Sequence, residues 1–410
     1  MKPTHGSSPI SRSVIVVIVA GSLIAIIGFG IRSIFGLFLE PMTEARGWDR
    51  ETFALALAFQ NLLWGIGVPI AGAIADRYGT RWVIAAGGIF YVVGVWGMAG
   101  AESGASLQLF AGVITGIGVA CTSFALVLSA FAKIVGPEHR SWALGIGTAA
   151  GSLGQVIFSP LGNELIDRVG WQTTLVVFAV TLIVIIPLAL FMPSDPSAVG
   201  EVDRGQSIRD ALGEALNHRG YILLTVGFFV CGFHVAFIAV HFPAYVKDLG
   251  LPSSVGAYSL ALVGAFNIVG SVLAGMAGQR WSKKYGLAVI YTGRSIAIVA
   301  LLLLPKTELT IYAFAIVIGL LWLSTVPLTS GIVAQVFGAR YMATLFGIVF
   351  FSHQLGSFLG VWLGGRVFDA TGSYDIIWWV SVGLGIVATL MHLPIDEQPL
   401  GRLLARRVAT

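Results

Sequence analysis

Charge is what this sequence has least of. Its 20 acidic and 24 basic residues are 11% of 410, against about a quarter in an average soluble domain. So few charges cannot clothe a water-facing surface, which excludes a soluble enzyme and a nucleic-acid binder. Cysteine is scarcer still. Cys121 and Cys231 sit in apolar runs, read as small buried hydrophobes, and exclude a disulfide scaffold. Acids are missing from the interior of every long apolar run, with Glu40 and Glu164 coming nearest. No histidine or cysteine grouping has metal-ligand spacing, so neither a metal nor a cofactor is expected.

What is present is hydrophobic length: 56% of the chain is apolar. A membrane-crossing helix needs about 20 such residues. The runs fall at 14–39, 52–75, 82–101, 107–132, 141–163 and 172–192, then at 220–246, 254–279, 286–305, 309–335, 341–367 and 375–393. The expectation is an all-α membrane protein of twelve transmembrane helices, numbered here spans 1 to 12, in two six-helix halves. Residues 1–193 form the first bundle, 194–219 a cytoplasmic linker, 220–394 the second bundle and 395–410 a basic cytoplasmic tail. Within the linker, Ser207–His218 reads as a short surface helix.

Lysine and arginine orient the chain. With the N-terminus inside, 16 of the 24 lie on the side of the termini, 6 on the other side, and Arg32 and Arg294 within spans. An excess of that size marks the cytoplasmic face, so both termini are expected there, in a multi-pass protein of a bacterial-type inner membrane.

The halves repeat. Gly145, Gly154, Gly162, Asp167 and Gly170 recur 202 residues later as Gly347, Gly356, Gly364, Asp369 and Gly372. Gly72 and Arg77 recur 203 residues later as Gly275 and Arg280. Duplicated halves meeting at a central interface suit alternating access.

The loop after span 2 reads Gly72-Ala-Ile-Ala-Asp76-Arg77-Tyr-Gly79-Thr-Arg81. With the twelve spans, it resembles the signature loop of the major facilitator superfamily. The resemblance implies a transporter rather than an enzyme, with Gly72, Asp76, Arg77, Gly79 and Arg81 as a cytoplasmic gate. The matching loop of the second half has Gln279 where the acid would be. Span 1, Gly28-Phe-Gly-Ile-Arg32-Ser33-Ile-Phe35-Gly-Leu-Phe38, is similar to the first helix of monocarboxylate porters and their bacterial relatives. The resemblance departs at span 8, where Asn267 fits the position those porters fill with an acid or asparagine, but Ser271 stands where they carry an arginine one turn later.

Arg32 lies deep in span 1, where a charge costs about 2.5–3.5 kcal/mol on insertion scales. It is therefore expected to face a water-filled cavity and to hold an anion through its two-pronged fork; the bland alternatives are snorkelling to the outer interface or pairing with Glu40. Arg294 reads as snorkelling to the cytoplasmic edge. His234, His241 and His353 are candidates for carrying a coupled proton. Arg32, His234, Asn267, His353, Asn61, Gln354 and Trp322 are the expected substrate contacts. The function expected is transport of a small organic anion, most simply a monocarboxylate, with proton symport as the candidate coupling, by a protein working as a monomer in lipid. The alternative is an efflux pump for hydrophobic or drug-like compounds.

Overall fold

The structure is a computed structural model that describes residues 12–135, 137–194, 207–338 and 341–401. The expected tail beyond 401 and the linker at 195–206 lie outside the described residues. Every regular element among those described is helical.

Eleven segments are long and apolar enough to cross a bilayer: Arg12–Arg46, Arg50–Ala75, Thr80–Ala99, Gly104–Phe131, Gly145–Ala189, Arg219–Asp248, Ser253–Arg280, Lys283–Leu303, Glu308–Phe337, Thr344–Thr371 and Asp375–His392. The fifth is two spans. Gly170 breaks it at φ +80°, ψ 161°, in the left-handed half of the map that only glycine enters freely. Twelve crossings result, and the chain returns to the side it started from.

The internal repeat has a packing cause. A Cβ on Gly154 of span 5 would collide with the Ile26 carbonyl of span 1. One on its repeat mate Gly356 of span 11 would collide with the Phe229 carbonyl of span 7. Glycine at these positions lets backbones touch, the usual device where no hydrophobic driving force joins helices in lipid. Gly170 and Gly372 both carry positive φ where a span ends.

One apolar core runs through the first half around Phe38, Tyr91, Phe131 and Phe178. Two more fill the second half, around Phe237 and Trp378 and around Tyr291 and Leu328. Exposed apolar side chains such as Ile70, Val93, Val272, Ile296 and Leu390 cover the outside. That surface suits hydrocarbon and not water.

In the linker, Ile208–Leu216 is a helix whose Ser207 caps Asp210 N at 3.1 Å while Asp210 returns a bond to Ser207 N. Ala211 and Ala215 are buried, whereas Ile208 and Leu216 face outward. The apolar face is thus narrower than the sequence pattern suggests.

Candidate functional site

A cavity of about 770 Å³ lies between the halves, walled by spans 1, 2, 4, 7, 10 and 11. It reaches down to Gly72, Thr80, Ser129 and Thr344, at the ends of spans on the side of the termini. Among its described wall residues Arg32 is the single arginine or lysine, and none is an acid.

Arg32 points into this space and is not clasped by Glu40, whose carboxylate meets Lys247 at 3.0 Å. The guanidinium lies 4.3 Å over the Trp64 ring and donates a short bond to Asn61 Oδ1. Asn61 in turn donates to Leu57 O at 2.9 Å, which fixes its oxygen toward the arginine. No carboxylate pairs with Arg32 among the described residues, and its Nε has no partner. Trp64 Nε1 and Gln354 Nε2, on the same wall, also lack acceptors. All three orphans are donors.

The structure brings Arg32, Asn61, Trp322, His353 and Gln354 to one cavity. It does not bring His234, His241 or Asn267 there. His234 is buried, with Nε2 on Ser381 O at 2.8 Å. His241 bridges Val361 O at 2.8 Å and the Tyr374 hydroxyl at 3.1 Å. The seven-residue spacing does give these histidines a common face, but that face packs against spans 11 and 12. Asn267 donates to Ser152 Oγ at 2.9 Å and accepts from Leu323 N at 3.0 Å and Ser271 Oγ at 3.1 Å. It ties span 8 to span 5 and to a break in span 10.

That break corrects the reading of Arg294. Span 10 consists of helices Glu308–Leu321 and Thr325–Phe337, so carbonyls at the join lose their helical donors. Arg294 is 1% exposed. It donates through Nη2 to Leu321 O at 2.7 Å, to Trp322 O by a short bond, and to Cys231 Sγ at 3.5 Å. It does not snorkel but caps a broken helix in mid-membrane.

The far side is closed by ion pairs and carboxylate caps between the halves. Arg50, opening span 2, grips Asp248 at the end of span 7 with two bonds of 2.6 and 2.7 Å. It also donates to the Tyr374 hydroxyl at 2.9 Å and covers the Phe368 ring at 3.7 Å. Asp369 of span 11 accepts from Arg50 N at 3.0 Å and Glu51 N at 2.6 Å. A carboxylate from the second half thus caps a helix N-terminus of the first, where the helix dipole favours negative charge. Glu51 accepts from Trp362 Nε1 at 2.8 Å and meets Arg366 at 3.2 Å. The available signal was Asp369 as the register mate of Asp167, alongside the charged triplet Asp49-Arg50-Glu51.

On the side of the termini, the expected gate loop folds onto its own half. Gly79 has φ +91°, and a Cβ there would meet Ser194 O at 2.5 Å. Arg81 N donates to Pro193 O at 3.2 Å, and Arg77 lies 5.3 Å over the Tyr78 ring. None of these described bonds crosses to the second half; the side chain of Asp76 lies outside the described residues. Gly72 makes no close helix contact, because a Cβ there would find nothing within 4 Å.

Residues 21–361 match the Major Facilitator Superfamily. The MFS-type transporter YcxA of Bacillus subtilis is 27% identical over 90% of this chain and 92% of its own. Monocarboxylate transporter 13 of Rattus norvegicus is 24% identical, over 89% of this chain and 86% of its own. Human monocarboxylate transporter 11 is 26% identical, over 93% and 83%. Among solved structures, a D-xylose–proton symporter superposes with TM-score 0.71 at 16% identity, over 94% of this chain and 99% of that one. An inward-facing bacterial Spinster homologue gives 0.69 at 17%, over 94% and 95%.

Proposed function

Starting from a chain that belongs to the major facilitator superfamily, and so is a membrane transporter and not an enzyme, we propose that it carries small organic anions of the monocarboxylate class, with Arg32 holding the carboxylate. The observation that carries this reading is a lone guanidinium on the cavity wall with no acid beside it among the described residues. A fork of parallel N–H donors suits a carboxylate, and two further unpaired donors on the same wall favour a guest rich in acceptors. The kinship to monocarboxylate transporters supports the same class.

The mechanism we infer is alternating access by rocking of residues 1–193 against 220–394, with 194–219 as the connecting strap. The excess of lysine and arginine on the side of the termini supports an inner-membrane orientation with both termini cytoplasmic. The cavity would then open to the cytoplasm, with the Arg50–Asp248–Asp369 clasp shutting the outside. His353, on the cavity wall, is the side chain placed to exchange a proton with cargo. A single chain contains the whole site, so the unit of transport is a monomer.

Two measurements check this reading. In thermal-shift assays of the purified chain, monocarboxylates should raise the melting temperature by an amount that grows with the logarithm of one plus the ratio of ligand concentration to Kd, while their uncharged amides do not. Equal responses would favour the hydrophobic-compound pump that the apolar wall also suits. Asp369→Asn should weaken the outer clasp by about 1–2 kcal/mol, from a lost helix-terminal charge and poorer acceptors. A reporter cysteine placed on the outer side of the cavity should then be alkylated roughly 5- to 30-fold faster. An unchanged rate would show that the clasp does not hold this state.

A further inference from the structure

The cavity chemistry narrows the cargo further, and this step rests on the anion-carrier reading above. The geometry points to a carboxylate with a bulky apolar body, aromatic or branched, as the preferred guest, in place of a three-carbon hydroxy acid. Its head would sit on Arg32 and its body on a run of rings crossing from the first half to the second.

Trp64 lies under the Arg32 guanidinium at 4.3 Å. Phe350 of span 11 packs edge-on against Trp64, centroids 5.5 Å apart. His353 stacks on Phe350 at 5.7 Å with an interplanar angle of 9°, and Phe228 of span 7 follows at 4.9 Å. Each of these side chains belongs to the cavity wall. Charge is thus concentrated at one end of an aromatic surface that links both halves.

The amides nearest the head are already committed, and the groups left unpaired on this wall, Trp64 Nε1 and Gln354 Nε2, are donors. Asn61 serves Arg32 and Leu57, and Gln60 donates to Ala111 O at 2.8 Å. A hydroxy acid also brings a hydroxyl proton that needs an acceptor, which these donors do not supply, and a buried polar group without its hydrogen bond is costly. An apolar body loses nothing there and gains from leaving water. A cavity of about 770 Å³ is also in the range of roughly 300–1,000 Å³ that accepts drug-sized ligands. Because the rings belong to both halves, a long guest touches both at once, while a short one bound at Arg32 touches chiefly the first.

The test is a binding series on the purified full-length chain by thermal shift. The probes are the unbranched acids from acetate to hexanoate, lactate, phenylacetate and phenylacetamide. The Kd fitted to the shifts should fall about three- to fourfold per added methylene, and that of phenylacetate should lie at least tenfold below that of lactate. Phe350→Ala should weaken phenylacetate about fivefold or more and leave lactate unchanged. Should that variant not fold, Phe350→Leu keeps apolar volume without the ring, and the wild-type series decides by itself. A flat series, or lactate as tight as phenylacetate, with acids still preferred over the amide, overturns this inference and spares the anion reading. If phenylacetamide binds as well as phenylacetate, the anion reading itself falls.

Discussion

Arg32→Gln should reduce carboxylate uptake into proteoliposomes by roughly 30- to 5,000-fold while leaving the protein folded. Truncating one partner of a desolvated charge pair costs about 2–5 kcal/mol, and every 1.4 kcal/mol is tenfold in affinity. Folding should survive, because Arg32 has no carboxylate partner among the described residues. Its bond to Asn61 is one that a glutamine amide can replace. The empty protein even loses a cation that burial disfavours, so its melting temperature should hold or rise. Arg32→Lys separates charge from geometry: an ammonium keeps the attraction but loses the planar fork, and uptake should fall between wild type and glutamine. Normal uptake by Arg32→Gln would reduce this residue to a packing element against Trp64.

The second large effect is on stability. Arg294→Met should cost about 2–4 kcal/mol, read as a lower melting temperature in detergent. The methionine fills much of the volume, so the loss is not a cavity. It comes from the carbonyls of Leu321 and Trp322, which the break in span 10 leaves without helical donors and which Arg294 serves. A buried acceptor left unpaired costs about 1–3 kcal/mol, partly offset because a buried charge has also gone. Arg294→Lys, with one donor centre, should recover part of the loss. An unchanged melting temperature would mean that water or a shift of span 10 satisfies these carbonyls instead.

The contrast between the two arginines shows what a single sequence can reveal. Each is a cation inside an apolar run, and for Arg32 depth alone points to a cavity. A span that starts at 286, as the hydropathy alone indicates, sets Arg294 too near an edge. The helix starts at Lys283, which puts the Arg294 Cα about 16 Å along the axis at 1.5 Å per residue. Its carbonyl partners arise from the break at Trp322–Ser324, which Pro327 in the first turn of the next helix does mark, since a proline cannot donate to the carbonyl four residues earlier; nothing in span 10 itself tells which side chain serves the freed carbonyls. The histidines failed for another reason. Period tells which residues share a face, but not which neighbour that face meets. The repeat was legible because close backbone approach at Gly154 and Gly356 and a positive φ at Gly170 and Gly372 demand glycine in both copies, whereas Gly145 and Gly347 meet no neighbour.

The two copies of the repeated aspartate have nonetheless diverged. Asp369 caps span 2 across the interface, whereas exposed Asp167 engages Asn163 on its own helix at 2.9 Å. The seam between spans 2 and 11 is therefore closed by rim charges. That between spans 5 and 8 is held by buried neutral bonds, Gln155 to Leu260 O and Asn267 to Ser152, both at 2.9 Å. Counterions at physiological strength shorten the reach of exposed charges to about 8 Å but do not enter a buried amide–hydroxyl pair. Ionic strength is thus a lever on the charged seam and not on the neutral one, and a brine that loosened the first would leave the second fastened.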